Sequence, residues 1–159
     1  MKSLLLSGLL LVGLCSICLG QTDDPGCNLY ASQKDSDCDG ESTCATATNC
    51  PTVSFKVVCN DTYWIKAWTD CGLTHCAHCA SCVSIYTDPP GATPVYFLST
   101  EEECDETECC QVVTTTLTAG NYLLKICLVP CNEVDAETCC GGAPCVAWGE
   151  ISKYSLSCE

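Results

Sequence analysis

The sequence predicts an all-β, small, disulfide-rich protein built from two tandem cysteine-rich β-hairpin repeats. Three observations carry this reading. Twenty of the 159 residues are cysteine. Residues 53–58 and 62–68 alternate in the β-branched and aromatic manner of strands around Asn60-Asp61, and the texture returns at 112–118 and 122–129 around Ala119-Gly120-Asn121. Between them lies YTDPPGATP, residues 86–94, where three prolines and a glycine interrupt any strand or helix.

Residues 1–20 read as a secretory signal, with Lys2 as the positive n-region and an apolar h-region at 4–14. Cleavage is expected before Gln21. The h-region is shorter than the roughly 20 apolar residues a membrane span needs, and the last residues, SLSCE, carry no lipid-anchor signal. The expected locale is extracellular, without a membrane partner.

Removing the signal takes away Cys15 and Cys18. The eighteen left are Cys27, Cys38, Cys44, Cys50, Cys59, Cys71, Cys76, Cys79, Cys82, Cys104, Cys109, Cys110, Cys127, Cys131, Cys139, Cys140, Cys145 and Cys158. That is about one residue in eight, above the roughly 8–10 % that marks a disulfide scaffold. In an oxidising compartment these thiols pair, although spacing alone does not give the connectivity.

Five lysines then face twenty acidic residues, a net charge of −15, and there is no arginine. Nucleic acid and anionic membranes both require a positive face, so neither is an expected partner.

The expected organisation is repeat 1 at 21–86, a Pro/Gly linker at 87–94 and repeat 2 at 95–159. In repeat 1 an acidic loop at 30–41 precedes the first hairpin, and a cysteine knot at 71–82 follows it. Repeat 2 opens with a short strand at 95–98 and an acid run at 101–108, and its tail, 146–158, has room for one more strand. Internal matches support the duplication. Tyr30 and Tyr96 each stand eight residues before a cysteine, Cys38 and Cys104, and aspartate follows that cysteine both times, at Asp39 and Asp105. Tyr63 and Lys66 match Tyr122 and Lys125, and Cys82-Val83 matches Cys145-Val146. Each repeat holds nine cysteines, so full pairing within the chain requires an odd number of bridges between repeats; Cys27–Cys158 is the candidate clasp. One intermolecular bridge per repeat, giving oligomers, is the alternative.

Four stretches offer chemistry. Asp35, Asp37 and Asp39 with Gly40 and Glu41 follow the D-x-D-x-D-G pattern, in which alternate carboxylates converge on Ca²⁺ at a glycine turn. Over these residues the chain resembles EF-hand and thrombospondin type 3 calcium loops, which implies Ca²⁺ as the one cofactor. It departs from them at position twelve, occupied by Thr46. His75, Cys76, His78, Cys79 and Cys82 have metal-ligand density, but oxidation converts such thiolates to disulfides. Tyr63, Trp64 and Trp68 offer a binding face for a partner or sugar, with the alternative that they cover a small core. Asn60-Asp61-Thr62 is the glycosylation acceptor triplet, placing a glycan on Asn60 at the hairpin tip.

Both histidines lie in the cysteine knot, and no nucleophile, base and orienting acid are marked by a local motif. The expected protein is therefore not an enzyme. It is a secreted, acidic, disulfide-stabilised structural or binding protein of an extracellular fluid, coat, fibre or matrix, whose partner is an extracellular protein or matrix component. A protease inhibitor or venom-like effector using the 87–94 loop, and an extracellular calcium-binding protein, are the alternatives.

Overall fold

The computed structural model describes residues 27–38, 43–71, 79–101, 109–131 and 145–158. The expected signal, the two histidines and most of the 101–108 acid run lie outside these residues. Among the described residues there are eight strands: β1 Tyr30–Asp35, β2 Thr52–Val57, β3 Asp61–Asp70, β4 Cys79–Thr87, β5 Tyr96–Ser99, β6 Cys110–Leu117, β7 Gly120–Pro130 and β8 Val146–Ser152. The fold is all-β and disulfide-rich, as the composition indicates.

The pairing differs from two consecutive hairpins. β1 pairs with β8, β2 with β7, β3 with β6 and β4 with β5, all antiparallel. The chain is thus one long hairpin, with its tip at the proline-rich stretch after β4. Rolling this hairpin up adds the pairs β3–β8 and β4–β7. Two four-stranded sheets result, with orders β1-β8-β3-β6 and β2-β7-β4-β5. This is the strand order of the eight-stranded jelly roll.

The two expected hairpins are therefore corrected to crossovers, since β2 and β3 lie in different sheets, as do β6 and β7. Alternation had fixed which residues face the core, but a hairpin and a sandwich satisfy it equally. A buried tyrosine at each corner favours the crossover. The Tyr63 hydroxyl donates to the Cys59 carbonyl at 2.9 Å, and the Tyr122 hydroxyl to the Thr118 carbonyl, also at 2.9 Å. Each ring points into the core while its hydroxyl ties down the incoming turn, as in the tyrosine corner of other sandwiches. Asn60 joins the two corners, its Oδ1 accepting the Ala119 N–H at 2.6 Å.

Exchanging β1–β4 with β5–β8 converts the strand order of one sheet into that of the other. Tyr63 and Tyr122 correspond under this exchange. Tyr30 and Tyr96 do not: Tyr30 is 62 % exposed, whereas Tyr96 packs against the core. Each sheet takes two strands from either side of the 87–94 segment, so the sequence halves interleave.

The core lies between the sheets. Tyr63, Ile65, Ala67, Ala147 and Ile151 from the first meet Val83, Ile85, Leu124, Ile126 and Leu128 from the second, each no more than 1 % exposed. At Gly149 the second sheet packs directly on the backbone, and a Cβ there would stand 2.0 Å from Ile126 Cδ1. Beside it, the buried Ser81 hydroxyl crosses the core to donate to the Trp148 carbonyl at 2.9 Å.

Five bridges are defined: Cys27–Cys59, Cys44–Cys82, Cys50–Cys127, Cys71–Cys145 and Cys110–Cys158. The expected Cys27–Cys158 clasp is corrected: β1 and β8 already pair side by side, Cys27 bonds to Cys59 ahead of β3, and Cys158 bonds to Cys110 at the start of β6. Cys50–Cys127 and Cys71–Cys145 instead connect the two halves. Cys38, Cys79 and Cys131 are disulfide-bonded as well. Cys44 and Cys50 hold the 43–50 loop over the outside of the second sheet, where Ala47 packs with Ala80, Cys82 and Val129. β4 is consequently buried on both faces.

The Tyr63 corner predicts an alkaline weakness. Burial raises the Tyr63 phenol above its ordinary value of 10.0, so folding favours the neutral form. That stability is complete below pH 10, the unfolded value, and is lost as pH rises through the higher folded value. Urea midpoints should fall above pH 10 and fall less steeply in Tyr63→Phe, which at neutral pH loses about 1 kcal/mol with its hydrogen bond. Identical alkaline slopes would contradict this account.

Candidate functional site

Alternation along β3 turns Tyr63, Ile65 and Ala67 inward and Trp64, Lys66 and Trp68 outward. Tyr63 is fully buried, so it leaves the expected binding face and belongs to the corner. The register assembles the rest into rows across the outside of the first sheet. Lys34, Trp148 and Trp68 form one row, Ser32, Glu150 and Lys66 the next, and Tyr30, Ser152, Trp64 and Thr114 the third.

Trp68 and Trp148 stack with centroids 5.4 Å apart and planes 6° from parallel. Lys66 Nζ lies 4.4 Å from the Trp68 ring centroid and Lys34 Nζ 5.4 Å from that of Trp148. Cation–π attraction holds both ammonium groups over the rings. Tyr30 donates to Glu150 Oε1 at 2.8 Å, and this bond to a carboxylate raises its phenol above the usual tyrosine value. The platform is braced from behind by the Ser81 bond to Trp148. Sequence reasoning had found Trp64 and Trp68 but missed Trp148. The signal was available in VAWGEIS, where alternation places Trp148 and Glu150 on one face.

One end of this face opens into a cleft of about 410 Å³ between Trp64 and Tyr154. Asp61, Lys153, Thr62, Thr114 and Ser155 supply its polar lining. Asp61 and Lys153 form an ion pair. The hydrogen bond from Lys153, then that from the Thr62 N–H, holds the Asp61 carboxyl below the ordinary aspartate value. Lys153 is also fixed at its backbone, whose N–H donates to the Leu29 carbonyl at 3.0 Å. The tail residues Lys153 and Tyr154 were absent from the sequence-derived site.

A second, apolar cleft of about 290 Å³ lies outside the second sheet, lined by Cys44, Ala45, Ser84, Tyr86, Pro94 and Phe97.

The remaining candidates separate. Asp35 is buried at the end of β1, with Oδ1 accepting the Asp37 N–H at 3.0 Å and Oδ2 the Leu128 N–H at 3.1 Å. Its carboxylate thus connects the sheets, while Asp37 is exposed. Asp39 and Glu41 lie outside the described residues. Asn60 is exposed at its corner. Cys71, Cys79 and Cys145 place their sulfurs within 4.8 Å of one another in the interior. All three are disulfide-bonded, and oxidised sulfur lacks the thiolate that metals require.

Comparison of the chain with protein-family models, curated proteins and solved structures finds no match. The outer face and its cleft therefore stand on their own chemistry.

Proposed function

We propose that this is a secreted, non-enzymatic binding protein that meets a component of the extracellular matrix across the outer face of its first sheet. The stacked Trp68–Trp148 pair carries the reading, because it holds two large rings at a half-exposed surface with Lys34 and Lys66 beside them. Aromatic side chains combine large contact area with little conformational freedom to lose, so they dominate many binding surfaces. Disulfides at this density are typical of extracellular proteins. Here they also make the surface rigid, which lowers the entropy cost of association.

Co-sedimentation with insoluble chitin, cellulose and fibrillar collagen tests the proposal. At least one of these should retain the protein, and the Trp68→Ala/Trp148→Ala variant should lose retention by about tenfold or more. No retention on any of them, or equal retention of the variant, would contradict the reading.

The 87–94 segment favours the protease-inhibitor reading as an alternative. Residues 87–93 are all exposed, and the loop is held at both ends by the Asp88 N–H bond to Asn121 and the Val95 N–H bond to Ile85. Stoichiometric inhibition of a protease, abolished by cutting this loop, would select it over matrix binding.

A further inference from the structure

Resting on the matrix-binding reading, we propose that the ligand is a neutral oligosaccharide or polysaccharide chain, seated in the cleft between Trp64 and Tyr154 and continuing along β3 toward Trp68 and Trp148. The cleft combines two kinds of surface that a sugar ring requires together. The Trp64 indole and the half-exposed Tyr154 ring offer flat apolar area for the C–H face of a pyranose. Around them stand a carboxylate, an ammonium and the hydroxyls of Thr62, Thr114 and Ser155. Together these can accept from and donate to ring hydroxyls.

Charge narrows the class. The chain carries a formal charge of −14, which opposes anionic ligands such as sulfated or uronic-acid polysaccharides. Within the cleft Asp61 and Lys153 neutralise one another, so no net charge asks for a cation. A purely apolar ligand would strip water from five polar side chains without replacing their hydrogen bonds. A neutral polyol meets all three conditions. One of its hydroxyls can donate to Asp61 while a neighbouring oxygen accepts from Lys153.

Size and direction fit a chain. A volume of about 410 Å³ lies toward the small end of ligand pockets, enough for a mono- or disaccharide unit. Trp64 and Trp68 share the outer face of one strand four residues apart, roughly 13 Å at strand rise. Lys66 lies between them. A ligand of several sugar rings would reach from the cleft to the stacked pair.

Tryptophan emission, titrated with soluble chito-, cello-, manno- and laminari-oligosaccharides, tests the proposal, with heparin as the anionic comparison. At least one neutral series should give a saturable change at millimolar concentration or below. Trp64→Ala should weaken it by about tenfold or more, whereas Trp64→Phe should keep most of the affinity. Unchanged urea midpoints for both variants would confirm that they fold. No saturable response to any neutral series, tighter binding of heparin, or wild-type affinity in Trp64→Ala would each overturn the sugar assignment. Retention on collagen that depends on Trp68 and Trp148, with no sugar response, would leave the matrix reading standing and remove this one. Failure in both experiments would remove both.

Discussion

Replacing Cys50 and Cys127 together with alanine should lower the unfolding free energy by about 4 kcal/mol, the largest effect of any single bridge defined here. The pair closes a loop with a sequence separation of 77 residues, the longest of the five. Chain entropy alone makes such a cross-link worth more than a short one, though the advantage grows only logarithmically with length. A second contribution is local. Cys50 is one of two anchors that hold the 43–50 loop over the outside of β4 and β7, so its release loosens the cover over Val129 while Cys44–Cys82 stays in place. By contrast, Cys110–Cys158 has a separation of 48 residues and anchors an exposed tail cysteine. Non-reducing urea denaturation of the two double variants should rank them in that order. A loss below about 1 kcal/mol for Cys50→Ala/Cys127→Ala would show that the 43–50 loop is seated without its bridge.

Gly149→Ala should cost about 1–3 kcal/mol although it adds a single methyl group. The new Cβ would lie 2.0 Å from Ile126 Cδ1, 2.9 Å from Val83 Cγ2 and 3.0 Å from Ile126 Cγ1. Rotating the Ile126 terminus relieves the first of these contacts but not the other two. Ile126 and Val83 are both fully buried, so relieving these contacts requires the sheets to separate. Separation would also lengthen the Ser81 bond to Trp148, which joins the core to the aromatic platform. Ile126→Val removes the nearest methyl and costs about 1 kcal/mol alone. Combined with Gly149→Ala it should give a smaller loss than the sum of the single changes. Strict additivity in a double-mutant cycle would contradict the close approach seen at this point.

Six of the eight strands are legible as residue patterns, because β2, β3, β5, β6, β7 and β8 keep an apolar side toward the core and a polar or mixed side toward solvent. β1 was hidden by polarity. Its residues YASQKD form an edge strand whose inward positions are Ala31, Gln33 and Asp35, so they read as an acidic loop. β4 was hidden for the opposite reason. From Cys79 through Ile85 every residue is buried, which removes alternation and leaves only cysteine density to read. Pairing was beyond local pattern altogether. Asn60 and Gly120 suit hairpin turns, but here their segments cross between sheets, and only the inward tyrosines record the difference. At the surface, β3 revealed Trp64 and Trp68 directly, whereas the partners Trp148, Lys153 and Tyr154 arrive from the far end of the chain through the β3–β8 register. The proline-rich segment reads in the sequence as a linker between repeats; in the structure it joins β4 to β5, which pair in one sheet. Its role is to turn the chain back on itself so that the two halves pair.

A single jelly roll assembled from interleaved halves makes one demand that two tandem units would not. Non-reducing peptide mapping of the purified protein should recover Cys50 linked to Cys127 and Cys71 linked to Cys145, with Cys27 on Cys59 and Cys158 on Cys110. A map in which every bridge stays within 27–82 or within 104–158, or in which Cys27 is joined to Cys158, would contradict the fold described here.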